Sequence, residues 1–564
     1  MLKLATLLRN AGEPRGESRY DRPEELSALG YTGLVMYETT ALSGVSSPDD
    51  LADPELRRWV EQMLEGVQRQ AEAARSAGLG VYVSYDVIVL PRDVVGRHES
   101  AVVSRHRSDV LDPTKPKALE LSVKALEALL GRLPEVEGVV LRFGDTDAAR
   151  LPYLMGNDIY SPPSSVGRAD RVVSVLERFH ELVVGRLGKR LIARAWNVNP
   201  GGLHDTPELA ARVADRLPGD PGDERFVLSF KYTQTDFWRY QPWNKSSLCF
   251  GDRPILYELQ CQREFEGKGG VPNWLVPVWQ DGPPPEELPP EELGSGDKQG
   301  EAEWAGGLQR VGERVNWAGV MAWVRGGGWG GPFVGHEEWI DANVWSVPRL
   351  VDEPGLDAEA LAGRWVDERL GVGRKPVASA LTAILSESGE IARKAFYVGA
   401  YARSRSDAWH PSADYIQDDV LDVRALWRLI QRLPEAQLKS VLEEKQSAAD
   451  RMSHLRGDLQ LAAGDRRHRN LLPLVNSMLY TEAFYETLRD LVVGLVQYRR
   501  FTKSADPTQA YEARQRLLAA QGHWNHHTQR YGSMPGTATP FRENEFWEIT
   551  QDVLAKLDGS VVAG

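Results

Sequence analysis

Short apolar runs of strand length recur along the first part of the chain, each bounded by Gly, Pro or polar residues: Lys3–Arg9, Gly33–Tyr37, Val81–Asp86, Gly138–Phe143, Leu191–Trp196, Phe226–Phe230, Ile255–Leu259 and Gly319–Val324. Between them lie longer segments with apolar residues at helical spacing, among them Leu51–Ala77, Lys117–Leu133 and Arg168–Leu187. Alternating β and α units imply a parallel sheet. Eight such strands predict an α/β fold, a (β/α)8 TIM barrel with insertions. An open doubly wound sheet is the alternative that counting strands leaves standing.

From about Pro354 the strand signal stops. Leu356–Gly371, Lys375–Arg403, Asp418–Leu433, Glu435–Leu455, His468–Phe501 and Thr508–Arg530 carry Leu, Val and Tyr at helical spacing. Two domains are expected: a (β/α)8 barrel catalytic domain over 1–353 and an all-α C-terminal domain over 354–564. The Pro/Glu-rich stretch Asp281–Gly300 reads as a surface loop inserted into the barrel.

Composition narrows the class. A chain of 564 residues has ample material for a large core and more than one domain. Its net charge of −13 argues against a nucleic-acid partner, which would favour a basic face. Two cysteines, Cys249 and Cys261, make no disulfide framework. The N-terminal stretch lacks the apolar core and cleavage site of a signal peptide, and no run approaches the length of a membrane span. A cytoplasmic protein with no membrane contact is expected. The 17 tryptophans suit a carbohydrate cleft with flat apolar faces as well as they suit a large core.

In a barrel, functional residues gather at the C-terminal ends of the strands. Here those ends carry Asp86, Arg142, Asp145, Asp147, Arg194, Lys231, Asp236 and Glu258. Glycoside cleavage needs one carboxylic acid to protonate the leaving oxygen and a carboxylate on the other face of the sugar. A neutral sugar does not call for three cations around it, whereas an acidic sugar does. The plainer reading is that Arg and Lys only neutralise the carboxylates as buried ion pairs. Pattern alone leaves both open.

A family resemblance bears on the choice. Glu258-Leu259-Gln260, followed by Glu264-Phe265, Gly267 and Trp279, resembles the Glu-Leu-Gln…Glu-Tyr…Gly…Trp signature of glycoside hydrolase family 67, the α-glucuronidases. Lys231 with Asp236 and Phe237 resembles that family's Lys-Asn-Gly-Pro-x-Asp-Phe segment. Arg194-Ala195 resembles its Trp-Arg-Ala strand end, and Leu111-Asp112-Pro113 its Leu-Asp-Pro. Trp329, Gly335-His336, Ala342-Asn343 and Arg349-Leu350 resemble the run in which its barrel ends. The matches keep their order from about residue 30 to about residue 370.

The resemblance implies an exo-acting, inverting glycoside hydrolase that removes α-linked glucuronic acid from small oligosaccharides. Asp236 and Glu258 match the carboxylates that activate water. Arg194 and Lys231 match residues that hold the uronic carboxylate, and Arg142 sits where the family has a lysine with that task. Trp279 and Trp329 are the matching aromatic substrate contacts. The family's general acid is a Glu. This chain has Asp145 or Asp147 there, with Asp145 the first choice. The family's extra N-terminal domain has no counterpart, and the helical tail does not align. No metal or organic cofactor is implied. The expected partner is an oligosaccharide, and the helical domain offers a surface for a homodimer. The alternatives are a hydrolase of the same architecture for another, neutral sugar and a non-catalytic carbohydrate-binding relative.

Two weaker signals point elsewhere. Gly326, Gly328 and Gly331 satisfy a dinucleotide fingerprint, but Pro332 contradicts the helix it needs, so a tight substrate-facing loop is expected. His523, His526 and His527 have ligand-like helical spacing, but no nearby carboxylate or thiolate motif completes a metal set, and a solvated face is the expectation.

Overall fold

The computed structural model describes residues 1–8, 17–160, 166–288, 306–326, 337–405, 409–412, 415–417, 420–464, 471–531 and 545–562. Trp329, Gly335, His336 and most of the Pro/Glu-rich stretch lie outside the described residues.

Eight parallel strands close into a barrel: β1 Leu2–Leu7, β2 Gly33–Met36, β3 Gly80–Asp86, β4 Gly138–Gly144, β5 Arg190–Asn197, β6 Phe226–Lys231, β7 Pro254–Gln260 and β8 Asn316–Arg325. Each neighbours the next, and β8 pairs with β1 to complete the ring. All eight are the strands read from the apolar runs. The closing seam runs through Gly319, where the register with β7 shifts and a Cβ would lie 2.0 Å from the Leu2 carbonyl oxygen. Glycine is the residue that lets the backbones approach there.

Inside the barrel, one side chain per strand forms an apolar layer: Leu4, Val35, Tyr82, Val140, Ile192, Val227, Leu256 and Met321. Strand side chains alternate with period two, so the next residues on the same face are two positions along. These are Thr6, Tyr37, Ser84, Arg142, Arg194, Ser229, Glu258 and Trp323. The inner face therefore changes from hydrocarbon to charge and hydrogen-bonding groups within two residues. The apolar layer plugs the bottom, and the polar layer is the floor of whatever opens above it.

The predicted helices form over Pro54–Ser76, Pro116–Arg132 and Arg168–His180, the last continuing into a wider turn at Glu181–Arg186. Beyond Glu338–Asp352, the helix that follows β8, come Ala358–Leu370, Lys375–Phe396, Gly399–Ser404, Val423–Arg432, Glu435–Ala463, Leu472–Ser504, Pro507–Tyr531 and Glu545–Val562. The region is helical as read, with one small addition, a ribbon of Ile416–Gln417 against Val420–Leu421. No described helix is long and apolar enough to cross a membrane.

Buried polar groups fasten this region to the barrel. Trp339 Nε1 donates to Ser477 Oγ at 2.8 Å, and Ser477 Oγ donates to the Gly270 carbonyl at 2.8 Å. Arg239 in the loop after β6 donates to the Gly389 carbonyl at 2.9 Å, and its guanidinium is paired with Glu287. His523 turns towards Asp490, and His527 packs against Tyr480 and Trp524.

Candidate active site

A cleft of about 660 Å³ opens above the polar layer at the C-terminal end of the barrel. Its lining includes Tyr37, Asp145, Asp147, Arg150, Arg194, Lys231, Asp236, Glu264 and Trp323, with Trp196, Phe237, Trp238 and Phe265 as further aromatic wall. Each comes from a strand end or the loop after it. That is where the period-two alternation and the barrel topology direct polar side chains.

The floor is an ion-pair lattice. Arg142 Nη2 lies 2.7 Å from both Asp145 Oδ2 and Asp147 Oδ2, while its Nη1 faces Asp86 Oδ1 at 3.3 Å. Arg194 Nη1 donates to Asp145 Oδ2 at 3.0 Å, and its Nε donates to both oxygens of Glu258, each at 3.0 Å. Ser229 Oγ and Trp323 Nε1 complete the Glu258 shell at 2.9 and 3.1 Å. Tyr37 Oη donates to Asp147 Oδ2 at 2.7 Å. Each guanidinium also lies against a ring, Arg142 over Tyr37 and Arg194 over Trp323, both at 4.8 Å. Charges this deeply buried persist only when an opposite charge lies beside them, and each of these has one.

Two carboxyls are pushed in opposite directions. Burial raises Asp86 to about 7, against the pull of Arg142. Burial opposes the charge on Asp145 too, but Arg142 and Arg194 outweigh it and hold the group near 2. Asp145 faces two guanidiniums, those of Arg142 and Arg194.

Across the cleft, Asp236 pairs with Lys231 and accepts from the Phe237 N–H at 2.7 Å. Lys231 Nζ sits 3.5 Å from the centre of the Trp196 ring and 4.5 Å from that of Phe237. Asp236 is 21% exposed, more open than Asp145 or Asp147.

The structure gathers Arg142, Asp145, Arg194, Lys231, Asp236 and Glu258 at one end of the barrel, in two tiers. Asp145, Arg194, Lys231 and Asp236 line the cleft. Glu258 is fully buried beneath Arg194 and Trp323, with both oxygens occupied, so it cannot meet a water in the cleft and instead anchors Arg194. Arg142 is also buried below the lining, committed to three carboxylates rather than presented to a ligand. Trp279 is a second correction of the same kind. It is a buried core residue of the helix Val276–Asp281 and does not face the cleft. Glu264, quoted above only as part of the motif, joins the site, and so do Trp196, Trp238, Trp323, Trp409 and His410, which were not singled out because an aromatic residue reads equally well as core. Among the described residues, no group of His, Cys, Asp or Glu is arranged to hold a metal ion.

No protein-family model and no curated protein sequence matches the chain. Solved structures do. One is a family 138 glycoside hydrolase enzyme targeting pectin rhamnogalacturonan II, at 12% identity and a TM-score of 0.55 over 100% of this chain and 83% of that one. Another is an O-GlcNAc hydrolase mutant from Thermobaculum terrenum, at 10% identity and a TM-score of 0.40 over 100% of this chain and 95% of that one. The first likeness establishes a shared fold, a (β/α)8 barrel with a helical C-terminal region. Neither structure is a family 67 α-glucuronidase.

Proposed function

We propose that the protein is a glycoside hydrolase that removes a terminal sugar from a small oligosaccharide. The observation that carries this is the placement of carboxylates from two separated strand ends, Asp145 and Asp147 after β4 and Asp236 after β6, around one cleft with aromatic walls. A sugar ring presents hydroxyls to charged groups and C–H faces to aromatic rings, and this lining offers both. A cleft whose bottom is sealed by an apolar layer suits attack on a chain end.

Asp147 is the general acid in this reading, since Arg142 and Arg194 hold Asp145 in its ionised form. Asp147 gives its proton to the departing glycosidic oxygen as the C–O bond breaks. Water attacks the anomeric carbon from the opposite face and passes a proton to Asp236. Asp145, ionised throughout, stabilises the positive charge that builds on the oxocarbenium-like sugar. Inversion of the anomeric centre follows from direct attack by water, as the family 67 resemblance implies.

The finer reading is that the sugar is a uronic acid, its carboxylate met by Lys231 and Arg194 at the cleft surface. A neutral sugar is the second reading. It is favoured by the pairing of Arg142, Arg194 and Lys231 with carboxylates of the protein itself. A panel of matched uronosides and neutral glycosides, assayed with purified protein, separates the two. Turnover of uronosides alone supports the first and of neutral glycosides the second. Binding without turnover would contradict hydrolysis.

A further inference from the structure

The cleft is not made by the barrel alone. Trp409 and His410, from the segment after the helix Gly399–Ser404, form part of its wall. We infer that these two residues of the helical region form the platform for a second sugar of the substrate, next to the one that is cleaved off. This inference rests on the glycosidase reading and assigns it a second subsite.

Trp409 stacks on Trp196 with ring centroids 5.4 Å apart and an interplanar angle of 13°. Trp196 in turn lies under the Lys231 ammonium, which is paired with Asp236. A ladder of contacts thus climbs from the reacting carboxylate to the mouth of the cleft. Exposure increases along it, since Trp196 is buried while Trp409 and His410 are partly open to solvent. His410 meets Trp238 edge-on at 5.9 Å, and Trp238 stacks flat on Phe265. At the same mouth the cleft is lined by Val198 and Pro200, and Val198 is 44% exposed. An apolar side chain that open in the lining of a cleft matches the C–H face of a sugar better than it matches water.

The platform is held in place. Ser412 Oγ donates to the Ile416 carbonyl at 3.0 Å, and Tyr415 Oη donates to the Phe396 carbonyl at the end of the helix Lys375–Phe396. That helix is bonded to the cleft loops, with Arg393 Nη1 donating to Tyr240 Oη at 2.9 Å and the Trp274 N–H to Ser388 Oγ at 3.0 Å. The loops after β6 and β7 and the Trp409 segment are thus tied to one helix, and the helical region acts as a wall of the site.

The test compares two substrates that share the terminal sugar, a methyl glycoside and a trisaccharide, on wild type, Trp409→Ala and Trp409→Phe. The loss of kcat/KM in Trp409→Ala should be roughly tenfold greater on the trisaccharide than on the methyl glycoside, with Trp409→Phe recovering most of the difference. Equal losses on both substrates, or none on either, would overturn the platform. If Trp409→Ala fails to fold, as circular dichroism would register, Trp409→Leu keeps an apolar side chain without a flat ring and should give the same split. Wild type that turns over neither substrate, nor any other glycoside, overturns the glycosidase reading itself and the platform with it.

Discussion

The Nε of Arg194 donates to both carboxylate oxygens of Glu258, each at 3.0 Å, and the Glu258 side chain is fully buried. Removing Glu258 leaves the buried Arg194 with Asp145 as its remaining partner and strips its Nε of both acceptors. Glu258→Ala should therefore lower stability by about 3–5 kcal/mol and abolish activity by releasing Arg194 from the cleft floor. Glu258→Gln, which keeps the shape and an acceptor, should retain more of the stability than Ala. Urea denaturation of the two variants measures this. A Glu258→Ala protein of wild-type stability would mean the pair is not structural.

Asp145 and Asp147 are separable by leaving group. Asp147→Ala should slow cleavage of an alkyl glycoside by about 10²–10⁴-fold and spare an aryl glycoside whose leaving group departs without a proton. Asp145→Ala should slow both substrates, because the charge it supplies is needed whatever departs. Steady-state kinetics on the two substrates checks this, and the reverse pattern would return the acid to Asp145.

The eight strands, their order and the positions of most of the charged floor were legible in the sequence. Each strand is a short apolar run, and in three of them the next inward residue breaks the run with a charge, at Arg142, Arg194 and Glu258. Depth was not legible. Glu258 and Asp236 look alike as carboxylates near strand ends, yet one lies inside β7 beneath a guanidinium and the other sits on a loop facing the cleft. The inner face alternates every two residues, so a shift of two positions decides between floor and lining. Trp279 misled for a related reason, because a large aromatic serves a core and a cleft equally well. Trp409 and His410 were not legible at all, because nothing local records that a segment far along the chain returns to the barrel mouth.

Asp86 sets a dependence on pH. Its carboxyl is raised to about 7, whereas in an unfolded chain it titrates near about 3.9. Between those values the folded protein holds a proton that the unfolded chain has released. The stability this group contributes is therefore fully present below about pH 4 and is lost as pH rises through about 7. Asp145, lowered to about 2, acts in the opposite sense, its contribution present above about pH 4 and lost as pH falls towards 2. Asp86→Asn cannot ionise. Its stability relative to wild type should improve as pH rises from 5 to 8 in urea titrations, and a difference that stays constant across that range would contradict the shift.

Lys231 distinguishes the two sugar classes. Lys231→Met should reduce kcat/KM on a uronoside by about 10- to 100-fold more than on the matched neutral glycoside if the ammonium holds the substrate carboxylate. Equal losses on both would mean that Lys231 serves only to position Asp236.

The proposed hydrolysis depends on Asp236 acting on water. The most direct measurement is a proton NMR time course of the first product from a defined oligosaccharide, run with wild type and with Asp236→Ala. The expected result is release of the terminal sugar by wild type with its anomeric configuration inverted, and a loss of about 10²–10⁴-fold in Asp236→Ala on alkyl and aryl substrates alike. Product of retained configuration, or an Asp236→Ala protein as active as wild type, would contradict it.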